Sequence, residues 1–213
     1  MVVQHNLSAM NTNRQMGTIT SSLQKSTEKL SSGYRINRAG DDAAGLSISE
    51  KMRSQIRGLN KASSNAQDGI SLIQVAEGAL NETHSILQRM NELATQAASD
   101  TNTSVDRTAI SAEMDQSEIN RIQSTTQFNT MNLLDGSFKG DLQVGSLKGQ
   151  TISISISKMN AASIGVSGLK VTSNALAGTA MSSIQKAIES VSTQRSKLGA
   201  IQNRLEHTIN NLN

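Results

Sequence analysis

The sequence of 213 residues contains no cysteine and no proline, and it has only three aromatic side chains. The absence of cysteine excludes disulfides and thiolate metal sites. Average usage of about 5% would give roughly ten prolines in this length, and a chain without this helix breaker can form long uninterrupted helices. Since two Phe, one Tyr and no Trp are present, aliphatic side chains must build the core. The composition therefore predicts an elongated, mainly helical molecule.

Charge and hydropathy also exclude several partners. The formal net charge is only +3, and the sequence has no block of five or six like charges, so we expect no nucleic-acid partner and no membrane partner. No apolar run approaches the roughly 18 residues that a membrane span needs. The N-terminal stretch MVVQHNLSAMNTNR lacks the basic and apolar regions of a Sec-type signal peptide, so an exported chain would use another route.

The residue types that carry chemistry are dispersed. His5, His84 and His207 lie on different predicted helices, and none belongs to an H-E-x-x-H zinc pair. There is no G-x-S-x-G nucleophile elbow, and the glycines of residues 30–49 fit neither G-x-G-x-x-G nor the P-loop spacing. We therefore expect a protein that is not an enzyme, with no catalytic, metal-binding or cofactor-binding residues.

Apolar residues that recur at steps of three and four predict four helices. The first covers residues 3–32 and has a thin apolar stripe, so it is marginal without partner helices. The second runs from 46 to 99, the third over about 104–128, and the fourth over about 178–212. In the second helix a heptad seam lies beside a row that ends at Leu93. The seam residues are Ile73, Ala76, Leu80, Thr83, Leu87, Met90, Ala94 and Ala97.

The fourth helix has the most regular repeat, with Arg195 and Gln202 at two of its seam positions. Its apolar seam residues are Met181, Ile184, Ile188, Val191, Leu198, Leu205, Ile209 and Leu212. Three different heptad seams in one chain can bury one another, so we expect an intramolecular, coiled-coil-like helical bundle. A dimeric coiled coil is the less favoured alternative.

The period changes between the third and fourth helices. The stretch TISISISK alternates strictly, with Ile152, Ile154 and Ile156 on one face and serines on the other, as in a half-buried strand. DLQVGS, residues 141–146, is the expected partner, which predicts a small β-hairpin over about 138–158. Residues 159–177 then form a short linker to the last helix.

The segment LSSGYRINRAGDDAAGLSIS, residues 30–49, joins the first two helices. Asp41 and Asp42 lack the spacing of a calcium loop and precede a helical pattern, where negative charge favours the helix N-terminus. We expect Arg35 and Arg38 to pair with acids on a neighbour, and Tyr34 to bury its ring while its hydroxyl stays bonded. A surface hinge is the alternative, but a hinge alone would not require these three side chains.

The same segment carries a resemblance to a known family. LSSGYRINRAGDDAAGLSISEKMRSQIRGL resembles the most characteristic stretch of the bacterial flagellins, and NAQDGISLIQVAEGALNETHSILQRMNELATQAA is similar to its continuation. The resemblance extends over essentially the whole chain. It implies a structural subunit without catalytic activity that is exported by the flagellar type III system, with a chaperone and a cap, and polymerises with copies of itself into the filament used for motility.

The resemblance also implies a domain organisation. Residues 1–45 correspond to the filament-core helix and the spoke connector, and residues 46–213 to the rod domain. Only residues 159–177 stand where flagellins usually carry variable outer domains, so the variable region is minimal. The family continues past the residues that match EHTINNLN into a C-terminal core helix, and we expect that segment to be missing here.

Two alternatives accompany the resemblance. A hook–filament junction protein is similar to flagellin at both ends, but the near-continuous match through GYRINRAGDDAAGLSISEKM favours flagellin. Some flagellins carry a metallopeptidase in the variable region. Here that region is too short for one and has no histidine.

Flagellins are recognised by Toll-like receptor 5, and LQRMNELATQ resembles the recognised segment. By this resemblance Arg89 and Leu93 of the second helix and Glu113 of the third are receptor contacts. Leu93 also belongs to an apolar row, so packing is an equally good interpretation of that residue. Asn91 stands where the family often has a second basic residue.

Overall fold

The computed structural model describes residues 6–212, and it is mainly helical, as predicted. The helices are α1 (Leu7–Ser32), α2 (Ala43–Ala98), α3 (Ser104–Glu113), α4 (Ser117–Thr125) and α5 (Asn174–Leu212). The strands are β1 (Gln127–Phe128), β2 (Met131–Asn132), β3 (Lys139–Gln143) and β4 (Thr151–Ser155). The chain forms two compact units, Met1–Arg57 and Gly58–Asn213.

Helix α1 of the first unit confirms the predicted first helix over residues 7–32, and residues 3–5 lie outside the described residues. Asn6 caps its N-terminus by accepting a hydrogen bond from the Ala9 N–H, and Gly33 ends it in the left-handed conformation, with φ of 71°. None of residues 6–57 is buried. One face of α1 presents a row of exposed apolar side chains: Met16, Ile19, Leu23 and Leu30. This row, here called the α1 stripe, is therefore not covered by any other part of the first unit.

The core of the second unit is built around α2. All eight predicted seam residues are buried, from Ile73 at 0% exposure to Ala97 at 0%, so the predicted heptad seam is confirmed. The same core cluster takes in side chains of α3, α4, both segments of the β3–β4 pair and α5. The expected intramolecular bundle is thus confirmed, because one chain covers its own seams.

The predicted seam of α5 is wrong at every second position. Ile184, Val191, Leu198 and Leu205 are fully buried, as predicted. Between them the buried residue lies one place earlier in the sequence than predicted, and it is small or polar. These buried residues are Ala180, Ala187 and Gln194. Met181, Ile188 and Ile209 only pack against the edge of the core. Since alanine lets two helices approach closely, the larger residues beside it are displaced to the rim.

Gln194 is a buried polar residue, 3% exposed, at one of these α5 seam positions. Its side-chain amide donates to the Ser155 carbonyl (3.4 Å), and its oxygen accepts from the Ser157 N–H (3.5 Å). Both partners lie at the end of β4, where strand pairing stops. A buried amide with these partners fixes how the strand end sits against the helix.

The prediction of one helix over 104–128 is wrong, because the chain breaks between α3 and α4. Met114 turns inward and is 2% exposed, and the Asp115 carboxylate accepts hydrogen bonds from the Ser117 N–H and hydroxyl. A short acidic side chain that bonds the backbone two residues on competes with helix formation. Residues 127–128, also assigned to that helix, form β1 instead.

Strands β1 and β2 are joined by a two-residue turn at Asn129 and Thr130. Both have positive φ, 47° and 64°, as the tight turns of two-residue hairpins require. Asparagine tolerates this region, whereas a β-branched residue is strained there. Because the sequence lacks the usual Asn-Gly pair here, this hairpin escaped prediction.

The β3–β4 hairpin is confirmed, with its strand ends at most three residues from the predicted bounds. The pairing is antiparallel, with Leu142 opposite Ile152 and Gly140 opposite Ile154. Ile152, Ile154 and Ile156 are buried at 6%, 1% and 2% exposure, as the alternation predicted. Residues 159–177 contribute six buried apolar side chains to the core, which the interpretation as a simple linker did not anticipate: Met159, Ala161, Ile164, Val166, Val171 and Ala177.

Candidate interaction surfaces

The connector between α1 and α2 is held by its own carboxylates. Asp42 accepts a hydrogen bond from the Gly45 N–H (2.8 Å), which confirms it as the N-terminal signal of α2. Asp41 accepts from the N–H groups of Asn37 (3.3 Å) and Arg38 (3.2 Å). These two bonds hold the pKa of Asp41 below its ordinary value. The two aspartates therefore fix the backbone of the connector.

The basic and aromatic residues of the connector lie differently from the expectation. Arg38 pairs with Glu28 of α1 at 3.0 Å, and Arg35 lies 4.0 Å from Asp42, so within one copy they find acids on their own chain. Tyr34 does not bury its ring, which is 58% exposed. Instead the guanidinium of Arg53 lies 5.2 Å from the centre of that ring, a cation–π arrangement. The connector thus presents an aromatic and two arginines to solvent on a fixed backbone.

A charged cluster joins α2 to α3. The Arg89 guanidinium donates to Glu113 Oε1 through two nitrogens, at 2.7 and 3.2 Å, and to Glu92 Oε2 at 3.2 Å. The hydrogen bonds to Glu113, and to a smaller extent the bond to Glu92, raise the pKa of Arg89. The side chains of Arg89 and Glu113 remain 59% and 53% exposed. The structure therefore brings two of the three expected receptor contacts together on the surface.

Leu93, the third member of that set, is buried. It is 2% exposed and belongs to the core, one helical turn from Arg89. Its position agrees with the packing interpretation given above. Asn91 is partly buried on α2.

Sequence reasoning missed a set of side chains that cap the C-terminus of α2. Arg107 donates to the carbonyls of Ala97 (2.8 Å) and Ser99 (3.0 Å), and its side chain is only 14% exposed. Asn102 donates to the Gln96 carbonyl, and Asn174 to the Ala98 carbonyl. The last carbonyls of a helix have no intrahelical partner, so these groups satisfy them. The Thr103–Asp106 capping box of α3 was the available sequence signal for this corner.

An apolar cleft lies between α2 and the two small strand pairs. It has a volume of about 480 Å³ and is lined by both phenylalanines of the chain. The apolar lining residues are Leu72, Phe128, Met131, Phe138 and Leu142. Asp68 and Lys139 also line it. We call this feature the phenylalanine cleft.

Within residues 6–212 no three acidic or histidine side chains are grouped closely enough to hold a metal ion. None of the helices in the same range has the length and apolar character of a bilayer span.

Comparison with known proteins decides the family. Residues 3–139 match the bacterial flagellin N-terminal helical region, and residues 181–213 match the bacterial flagellin C-terminal helical region. The chain belongs to the bacterial flagellin family. Flagellins are structural proteins of the bacterial flagellum, and membership makes this flagellin a component of that organelle.

Individual flagellins and a flagellar filament core protein resemble most or all of the chain. The flagellin of Halalkalibacterium halodurans is 54% identical over 217 residues, which cover 100% of this chain and 80% of the relative. The flagellar filament 33 kDa core protein of Treponema phagedenis is 46% identical, over 100% of this chain and 81% of the relative. The crystal structure of Bacillus cereus flagellin superposes with a TM-score of 0.62 at 29% identity, covering 70% of this chain and 88% of that one.

Proposed function

We propose that this flagellin is a structural subunit of the flagellar filament and that its partners are other copies of the same chain. The observation that supports this most directly is the α1 stripe. Its four large apolar side chains are 63% to 86% exposed, and a helix without tertiary packing is marginal in water. A helix of this kind becomes stable when neighbouring subunits cover its apolar face.

The two parts of the chain then have different roles. Residues 1–45 supply the filament-core helix and the connector, whose exposed Tyr34, Arg35 and Arg38 contact neighbouring subunits while Asp41 and Asp42 hold the backbone. Residues 46–213 form the rod, which folds around its own core. The chain reaches the cell exterior through the flagellar export apparatus, with a chaperone before export and a cap at the growing end.

Production of the chain in Halalkalibacterium halodurans cells that lack their own flagellin tests this proposal. We expect the chain in the external fraction and filaments on the cell surface by electron microscopy. Replacement of Ile19 and Leu23 by Glu should leave export intact and abolish filaments, because the α1 stripe becomes charged.

The matched control places the same two charges one position earlier in α1. Thr18→Glu and Ser22→Glu have the same spacing, but they replace polar residues off the stripe, so filaments should persist. Equal loss of filaments in both double variants, or equal persistence in both, contradicts the assignment of the stripe as a subunit contact. A chain that is exported but never forms filaments contradicts the filament function itself.

The hook–filament junction protein remains the second candidate in principle, but no observation favours it. The family match and the relatives named above are those of flagellins and a filament core protein.

We also propose that Toll-like receptor 5 recognises the cluster of Arg89 and Glu113. The ion pairs to Glu113 and Glu92 hold the guanidinium in place while leaving it accessible, and preorganised groups lose less entropy on binding. Leu93 contributes to this site indirectly, because its buried side chain packs the turn of α2 that carries Arg89 against the core.

Arg89→Ala is expected to weaken binding to the receptor ectodomain about tenfold or more, since hydrogen bonds to charged groups contribute roughly 1.5–3 kcal/mol. Surface plasmon resonance measures this change. Arg121→Ala is the matched control, because Arg121 is equally exposed and pairs with Glu118 on α4. An unchanged dissociation constant for Arg89→Ala, or an equal loss for Arg121→Ala, would remove Arg89 from the receptor site.

A further inference from the structure

We propose that the phenylalanine cleft receives the Val105 side chain of a second copy of this chain, and that this contact joins copies head to tail. The inference rests on the proposed filament function and names one contact through which copies meet.

The cleft has the size and lining of a site for an aliphatic side chain. The chain has only two phenylalanines, and Phe128 and Phe138 both line it. Met131 on its wall is 44% exposed, so apolar surface is left facing water. A cavity of about 480 Å³ lies in the range of pockets that bind apolar groups, and it readily accepts a branched side chain.

Val105 is the most exposed of the large apolar side chains described in the second unit, at 76%. It lies in the first turn of α3, which the Thr103–Asp106 capping box stabilises. Arg107, two residues on, fastens that turn to the Ala97 carbonyl at 2.8 Å. The side chain is therefore presented by a fixed backbone, and preorganisation lowers the entropy cost of docking. Leu147, also held by hydrogen bonds to Gln143 and Gln150, is less exposed, at 57%.

Charges beside the two surfaces are complementary. The corner that carries Val105 also carries Asp100, whose side chain is 88% exposed and pairs with Arg107 at 3.3 Å. The basic Lys139 and the acidic Asp68 both line the cleft. Lys139 has no carboxylate partner among residues 6–212. An acid and a base on each side allow opposite charges to meet around the apolar contact, which sets its orientation.

The separation of the two surfaces determines the kind of assembly. The cleft contacts α2 at Gly69 and Leu72, whereas Val105 lies beyond the end of α2 at Ala98. At 1.5 Å per residue this is roughly 40 Å of helix, so the two cannot meet within one copy. A contact between different patches is heterologous, and when its rotation does not close it generates an open helical chain of subunits. A filament needs contacts of this kind.

The absence of cysteine permits a direct test by crosslinking. The double variant Val105→Cys/Met131→Cys is treated with a short bis-maleimide at high protein concentration and analysed on a denaturing gel. We expect a ladder of dimers, trimers and larger species, because each copy carries both halves of the contact. Each single variant should stop at a low level of dimers. Leu147→Cys/Met131→Cys, with two equally accessible thiols, should give no ladder above that level.

A second measurement uses mixed single variants and keeps the proposal testable if the double variant folds poorly. Val105→Cys chains mixed with Met131→Cys chains should give at least about fivefold more crosslinked dimer than either chain alone, while circular dichroism reports unchanged helix content. Mixed dimers no more abundant than in each chain alone overturn the contact. If the crosslinks fail but the unsubstituted chain forms filaments in cells, only this contact is overturned. If the unsubstituted chain also forms no filaments, the proposed filament function is overturned as well.

Discussion

Replacement of Leu80 by Ala is expected to lower the free energy of unfolding of the second unit by about 2–5 kcal/mol, the range measured for leucines deleted from closed cores. Leu80 is 0% exposed and lies at the centre of the α2 seam, where α2 packs in the same core as α5. Because rigid helices cannot collapse fully onto the lost volume, a cavity remains. Urea unfolding followed by circular dichroism at 222 nm measures the change.

Leu147→Ala is the matched control, with the same atoms removed from a side chain that is 57% exposed. Its effect should stay within about 0.5 kcal/mol. A loss below about 1 kcal/mol for Leu80→Ala would mean that the α2 seam is not closely packed in solution.

How far the sequence predicted the fold is best seen in the two long helices of the rod. In α2 the small seam residues Ala76 and Thr83 are followed by Glu77 and His84. No larger apolar neighbour competed with them, so periodicity alone identified the buried face. In α5 every second buried position is Ala or Gln194, while Met181 and Ile188 lie beside it and dominated the pattern. Hydrophobicity ranks side chains by size, but the closest approach of two helices selects small ones. The prediction therefore found the helix and misplaced half of its seam.

Local polar competition explains the other errors of the fold prediction. The apolar pattern of residues 104–128 continues across Asp115, but its carboxylate bonds to Ser117 and breaks the helix. The turn at Asn129 and Thr130 lacks the glycine that usually marks it. The helix break depends on one side chain and the turn on one strained residue. A prediction from hydrophobic periodicity does not detect single residues of this kind.

The candidate surfaces were predicted in the same uneven way. Asp42 as a helix cap and the approach of Arg89 to Glu113 followed from spacing and from the resemblance. The exposed Tyr34 under Arg53 did not follow, since an aromatic residue is ordinarily expected to bury its ring. The capping role of Arg107 was not predicted, because its partners are backbone carbonyls and these carry no sequence signal.

Amide hydrogen exchange on the monomer should separate the two units by several orders of magnitude. Amides in the middle of α2 and α5 exchange only by global unfolding of the rod, whereas α1 has no buried residue and opens at almost no cost in free energy. The two units differ in this way even though both are helical, because packing rather than intrinsic propensity stabilises helices in proteins.

The most direct test of the central claim, that α1 is completed only by neighbouring subunits, is this exchange experiment read by mass spectrometry along the chain. Residues 7–32 of the monomer should exchange within seconds at neutral pH, while peptides from residues 72–97 and 184–205 stay protected for hours. In filaments collected from cells, residues 7–32 should become protected to the same extent as the rod. Protection of residues 7–32 in the monomer equal to that of residues 72–97 would contradict the account.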